Sequence, residues 1–221
     1  PLLKYYSDNN NTVTKTILYE LSYCYYQTNN IQKAIEGFKE LSNEKDSLGQ
    51  NSMYQLGSLY LSIDDKPNAR SAFQYCANNN SDLVQQKISK FNFAKLSYEL
   101  GYLDAALKEI KEFLKEYPAS EYEVESKELL VNLLAKTNDF SQGIAMYESL
   151  KSPSITAQKV YSTLLYGKAI QLFNDQNLTE SDAVFNKLMQ IPYAEKLSPH
   201  AKFWRGEIAY REKRYDDAIK F

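Results

Sequence analysis

A small residue followed four places later by a large apolar one recurs along this chain at a nearly fixed interval. The pairs are Ala34/Phe38, Ala69/Phe73, Ala106/Ile110, Gly143/Tyr147 and Ser181/Phe185, and Ala218 opens a sixth copy. Successive small residues are separated by 35, 37, 37, 38 and 37 residues. A period in this range means that one supersecondary unit is repeated and that each copy buries its apolar face against its neighbours. Arrays of this kind present long surfaces, so function is expected on a surface and not in a catalytic pocket.

Taking each small residue as position 20 of its copy brings the rest of the pattern into register. Position 8 holds Ser22, Gly57, Ala94, Val131, Ala169 and Gly206, five of them small. Position 11 holds Tyr25, Tyr60, Ser97, Leu134, Leu172 and Ala209, and position 27 holds Leu41, Cys76, Phe113, Leu150 and Leu188. Three- and four-residue spacings put 8 and 11 on one helical face, and 20, 24 and 27 on another. Small side chains at 8 and 20 let two antiparallel helices approach closely. Turn formers fall between the two helices of each copy: Thr28-Asn29-Asn30, Asp64 to Pro67, Gly101, Thr137-Asn138-Asp139 and Asp175-Gln176-Asn177. Between copies lie Asn78 to Ser81, Tyr117 to Ser120, Ser152-Pro153-Ser154 and Ser198-Pro199, and Ser120 with Glu123 reads as a capping box. The pattern predicts an all-α chain of about eleven helices in antiparallel pairs.

These residues resemble the tetratricopeptide repeat, whose 34-residue consensus carries Leu-Gly at 7 and 8, Tyr at 11, Ala at 20, an aromatic at 24 and Pro at 32. Leu56, Gly57, Tyr60, Ala69 and Phe73 form the best copy; Gly101, Ala106 and Pro118 serve the next, and Gly206, Tyr215 and Ala218 the last. The resemblance implies a right-handed α-solenoid superhelix. It divides 1–221 into one array of about six copies, at 15–49, 50–86, 87–123, 124–161, 162–198 and a truncated 199–221. The chain departs from the family pattern at Lys90, Lys127 and Lys202 (position 4), at Lys168 and Arg205 (position 7), and at Trp204, two places after the usual aromatic. The long period and the Tyr117-Pro118-Ala119-Ser120 turn look like the tetratricopeptide proteins of the Gram-negative cell envelope, such as outer-membrane assembly lipoproteins and cell-division coordinators. The chain opens on Pro1 and stops at Phe221 inside an expected helix, so it reads as a fragment of a longer protein.

A net charge of −2 argues against a nucleic-acid partner, which calls for a basic stripe. Cys24 and Cys76 form no CxxC, and Cys76 falls on the core stripe as a buried hydrophobe. His200 is the sole histidine, leaving little for a metal site. No apolar run approaches the ~20 residues of a membrane span. There is no phosphate loop, HExxH or GxSxG, and Asp64-Asp65 and Asp216-Asp217 read as helix N-termini favoured by negative charge. No enzyme activity, cofactor or metal is expected.

The 19 tyrosines exceed what the core positions use. On first helices, position 5 reads Tyr19, Tyr54, Phe91, Glu128, Tyr166 and Phe203; position 12 reads Tyr26, Leu61, Tyr98, Ala135, Phe173 and Tyr210. Seven residues apart, these positions lie within about 20° of each other and about 100° from the stripe at 4, 8 and 11. In the tetratricopeptide family that face lines a concave groove in which partner peptides lie. The resemblance therefore implies a binding stripe of Tyr19, Tyr23, Tyr26, Tyr54, Phe91, Tyr98, Tyr166, Phe173, Phe203 and Tyr210. The same recurrence also fits rings packed between neighbouring first helices, and a tyrosine can do both. The family's carboxylate clamp is absent from its first window, where Tyr19, Tyr23, Gln55, Ile88 and Asn92 stand. The expected function is a protein-interaction scaffold for a partner peptide or protein, in the periplasm or cell envelope. A glycan-binding protein, a structural spacer and a cytoplasmic location are the alternatives.

Overall fold

The computed structural model describes residues 14–221, so the first 13 residues of the expected 1–221 array lie outside the described residues. The described residues form twelve helices and no strand: α1 (Lys15–Gln27), α2 (Ile31–Leu41), α3 (Ser47–Ser62), α4 (Lys66–Ala77), α5 (Leu83–Glu99), α6 (Leu103–Glu116), α7 (Glu123–Lys136), α8 (Phe140–Glu148), α9 (Ile155–Asn174), α10 (Leu178–Gln190), α11 (Ser198–Arg211) and α12 (Tyr215–Ala218). The described residues divide into two compact units, the first ending at Tyr117 and the second spanning Pro118–Phe221. The first holds the pairs α1/α2, α3/α4 and α5/α6; the second holds α7/α8, α9/α10 and α11/α12. Within each unit consecutive helices pack on one another, as an α-solenoid requires.

Each first helix ends by the same device. Its last turn closes on a residue in the left-handed region: Asn29, Asp64, Gly101, Asn138, Gln176 and Lys213, with φ between 57° and 84°. The next N–H then reaches back five residues to the carbonyl of position 11, as in Asn30 to Tyr25 at 2.8 Å, Asp139 to Leu134 at 2.9 Å and Arg214 to Ala209 at 2.8 Å. This Schellman closure satisfies a carbonyl that the helix end would leave orphaned. Asp65 and Asp139 then cap the second helices by accepting from Asn68 N and Gln142 N.

The small residues sit where the period places them. Ala34, Ala69, Ala106 and Ser181 are 0 % exposed, and Gly143 is buried. Ser181 Oγ donates to the Ala169 carbonyl at 2.8 Å, joining positions 20 and 8 across one pair. At Gly57 an added Cβ would lie 2.8 Å from the Phe73 ring, so only glycine admits that ring against α3. Phe38, Phe73, Ile110 and Phe185 fill position 24 with little or no exposure. Tyr147 and Leu150 are only half-buried, as are Gly206 and Ala218.

Two details differ from the sequence reading. The Ser120/Glu123 capping box does not form: α7 starts at Glu123 with Tyr122 as N-cap and no side-chain cap bond. Ser120 Oγ is buried without a partner, and Glu123 accepts from Lys127 instead, at 2.6 Å. The α4–α5 connection is held by a buried residue with no periodic signature. Gln50 donates to the carbonyls of Asn79 and Asp82 and accepts from Asp82 N at 2.7 Å. No described helix is long and apolar enough to cross a membrane.

Candidate functional site

The position-5 rings lean on their own pair. Tyr19 meets Phe38 edge-on at 5.4 Å, Tyr54 meets Phe73 at 6.1 Å and Tyr166 meets Phe185 at 5.9 Å. Phe91 packs on Phe113 at 5.8 Å, one turn beyond the aliphatic Ile110. The sequence reading put these rings off the pair's own core; they form its margin instead, because the position-24 ring is wide enough to reach round to them. Phe91 and Phe173 are buried, while Tyr19, Tyr26, Tyr54, Tyr98 and Tyr166 are half-buried. Tyr23, Phe203 and Tyr210 are exposed.

Phe203 has no such partner. Phe203, Gly206, Tyr210, Ala218 and Phe221 line an open hollow of about 530 Å³.

In the first unit the first helices α1 and α3, and α3 and α5, touch along this face. Tyr23 and Tyr26 stand edge-to-face at 6.4 Å. The Tyr19 hydroxyl lies near the Gln55 side chain of the next pair, and burial pushes its pKa above the ordinary tyrosine value. In the second unit Trp204 gathers the rings. Its indole N–H donates to the Tyr166 hydroxyl at 3.1 Å, and its ring lies 4.8 Å from Phe173 and 5.4 Å from Phe203. The ten expected site residues thus fall into two groups: six in the first unit and four in the second, three of which meet Trp204.

Residues 193–221 match the tetratricopeptide repeat family model. Solved structures extend the likeness along the chain. A tetratricopeptide repeat protein from Parabacteroides merdae ATCC 43184 superposes with a TM-score of 0.56 at 16% identity, over 93% of this chain and 76% of that one. YrrB, described as a TPR protein with an unusual peptide-binding site, superposes with a TM-score of 0.53 at 12% identity, over 90% of this chain and 96% of its own. No curated protein matches the sequence. This chain has the fold of the tetratricopeptide-repeat proteins.

Within that solenoid, Gln55 and Trp204 occupy the same place, position 6, one repeat after the tyrosines they meet. Gln55 was visible in sequence as a failed clamp position and Trp204 as a misplaced aromatic; neither carries a periodic signal that marks it as a joint. Elsewhere on the repeats the ionic chemistry is structural. Tyr147 stacks on Tyr161 at 3.9 Å, and Tyr161 and Lys187 both donate to Glu148 Oε1, at 2.7 and 2.6 Å. The Lys187 bond first, and the Tyr161 bond second, hold the Glu148 carboxyl below its ordinary pKa. Among the described residues no three His, Cys, Asp or Glu side chains are grouped to hold a metal.

Proposed function

We propose that this tetratricopeptide-repeat solenoid is a non-enzymatic scaffold that binds a partner peptide or protein on the first-helix face, within a cell-envelope complex. One observation carries the reading: the rings of that face are anchored at one edge and open at the other. Tyr19 and Tyr54 are braced edge-on by Phe38 and Phe73 yet remain half-exposed, and Tyr23 stands 42% exposed beside Tyr26. A ring already held in place loses little freedom when a partner covers it, so its contact area converts efficiently into affinity. The peptide-binding site named for YrrB supports the reading as a precedent on this fold. The envelope location rests on the resemblance of the stretched repeat and its Tyr-Pro-Ala-Ser turn to envelope proteins.

The test is selection of a phage-displayed random peptide library on the purified chain. Enriched peptides should bind wild type and lose about thirtyfold or more in affinity on a Tyr23→Ala, Tyr54→Ala variant. Circular dichroism should show the helices of that variant intact. Peptides that bind both proteins equally would remove the face from the proposal. Loss of partner capture from envelope extract under glycan competition would favour the glycan alternative, and recovery of the full-length protein in the cytoplasmic fraction would remove the envelope location.

A further inference from the structure

The second unit contains a hollow of about 490 Å³ whose chemistry is more specific than the face around it. Its floor is Phe140, Tyr166 and Ile170, laid over Gly167. Gly167 lies inside α9, where glycine costs about 1 kcal/mol relative to alanine. A Cβ there would meet the Phe140 ring at 2.4 Å, so the glycine is what lets that ring lie against the helix. The rim is Asn138, Gln171, Asn174 and Asp175. None of these four side chains makes a hydrogen bond or ion pair within the protein, so three amides and one carboxylate line the rim with their bonding capacity unused.

The side-chain charge of the hollow has one sign. Asp175 is its sole ionised lining group, and no lysine or arginine lines it. It also lies where two first helices end, since Asn138 follows the last turn of α7 while Asn174 and Asp175 close α9; the one helix start there, α8 at Phe140, is already capped by the Asp139 carboxylate. Helix C-termini carry a partial negative charge of about half an electron each, which favours a cation within the last turn. An aromatic ring in the floor adds attraction for the same sign.

We infer that this hollow receives a lysine or arginine side chain of the partner polypeptide, its methylene stem along Phe140 and Ile170 and its charged head at Asp175. The amide oxygens of Asn138, Gln171 and Asn174 accept the remaining N–H donors. This deepens the proposed scaffold reading and rests on it, but it names a different unit and a different chemistry from the tyrosine face of α1 and α3.

The test is an amide NMR titration of the ¹⁵N-labelled chain with blocked alanine pentapeptides. These carry lysine, arginine, norleucine or glutamate at the centre. Lysine and arginine peptides should shift amides within 138–140 and 166–175, norleucine should bind about tenfold more weakly, and glutamate should leave those amides unmoved. Asp175→Asn, an isosteric change at an exposed site, should weaken the lysine peptide about tenfold and leave norleucine unchanged. Equal binding of norleucine and lysine, shifts confined to other residues, or no shift with any peptide would overturn the inference. The library peptides that read the Tyr23/Tyr54 face remain the separate measure of the scaffold itself. If they bind and the lysine peptide does not, only the inference falls.

Discussion

Trp204 donates its indole N–H to the Tyr166 hydroxyl at 3.1 Å, across one repeat. Tyr19 and Gln55 approach each other at the corresponding place in the first unit, from position 5 of one pair to position 6 of the next. A single tyrosine thereby closes two joints. Its ring packs on the second helix of its own pair, and its hydroxyl ties the neighbouring first helix.

Tyr166→Phe should keep the ring contact with Phe185 and lose the bond to Trp204. The expected cost is about 1 kcal/mol in urea unfolding, because a half-buried indole N–H loses its acceptor. A double-mutant cycle with Trp204→Phe should give a coupling of about 1 kcal/mol. Additive single changes would show that the bond contributes nothing.

Gln176 and Lys213 hold φ of 62° and 60°, where a side chain with Cβ is strained and local Asn or Asp chemistry is absent. Gln176→Gly should stabilise by about 0.5–1 kcal/mol despite the added freedom of the unfolded chain. Asn138→Ala, the opposite change at the same repeat position, should destabilise by about 1 kcal/mol. Melting temperatures moving in the reverse directions would contradict the strain argument.

Ser52, Ser89 and Ser126 stand at the same position of consecutive copies, each 0 % exposed; Ser89 lies against the Cys76 thiol, while the hydroxyls of Ser52 and Ser126 have no hydrogen-bond partner. Burying an unsatisfied hydroxyl costs about 1–3 kcal/mol, so alanine at Ser52 or Ser126 should be neutral or stabilising. Denaturation midpoints that fall by more than experimental error would reveal a missing partner.

The Glu148–Lys187 pair predicts a pH dependence of definite sign. Glu148 titrates below its ordinary value through bonds from Lys187 and Tyr161, so its contribution is present above the ordinary carboxylate range and is lost as pH falls through the lowered pKa. Lys187 titrates above its ordinary value chiefly through its bond to Glu148; its contribution is present below the ordinary lysine range and is lost as pH rises through the raised pKa. Glu148→Gln should therefore flatten the melting curve at both pH extremes. Both side chains are about half-exposed, so 1 M salt should remove much of the difference.

Cys24 is exposed and free, whereas Cys76 is buried and its thiol is pushed up to about 12. Iodoacetamide at neutral pH should label Cys24 rapidly and Cys76 only on unfolding. Equal labelling in the folded protein would show that the α4 core opens.

The repeat period determined the all-helical fold, the pairing of helices, the turn positions and the buried small residues. Each follows from local spacing: residues three, four or twelve apart meet inside one hairpin, and Asn29, Asp64 and Asn138 fall at the turns the pattern marks. What Ser120 caps was not legible, because α7 begins later than its Ser-x-x-Glu signature suggests. Nor was the seat of Tyr19, Tyr54 and Tyr166, because helical phase says which way a ring departs from its helix and not how far a phenylalanine on the facing helix reaches. Gln50, Gln55 and Trp204 make single contacts with loops or neighbouring repeats, and a contact made once leaves no period to read. The tertiary structure alone decided which rings are braced and which are open, since exposure depends on the helix that arrives from elsewhere in the chain.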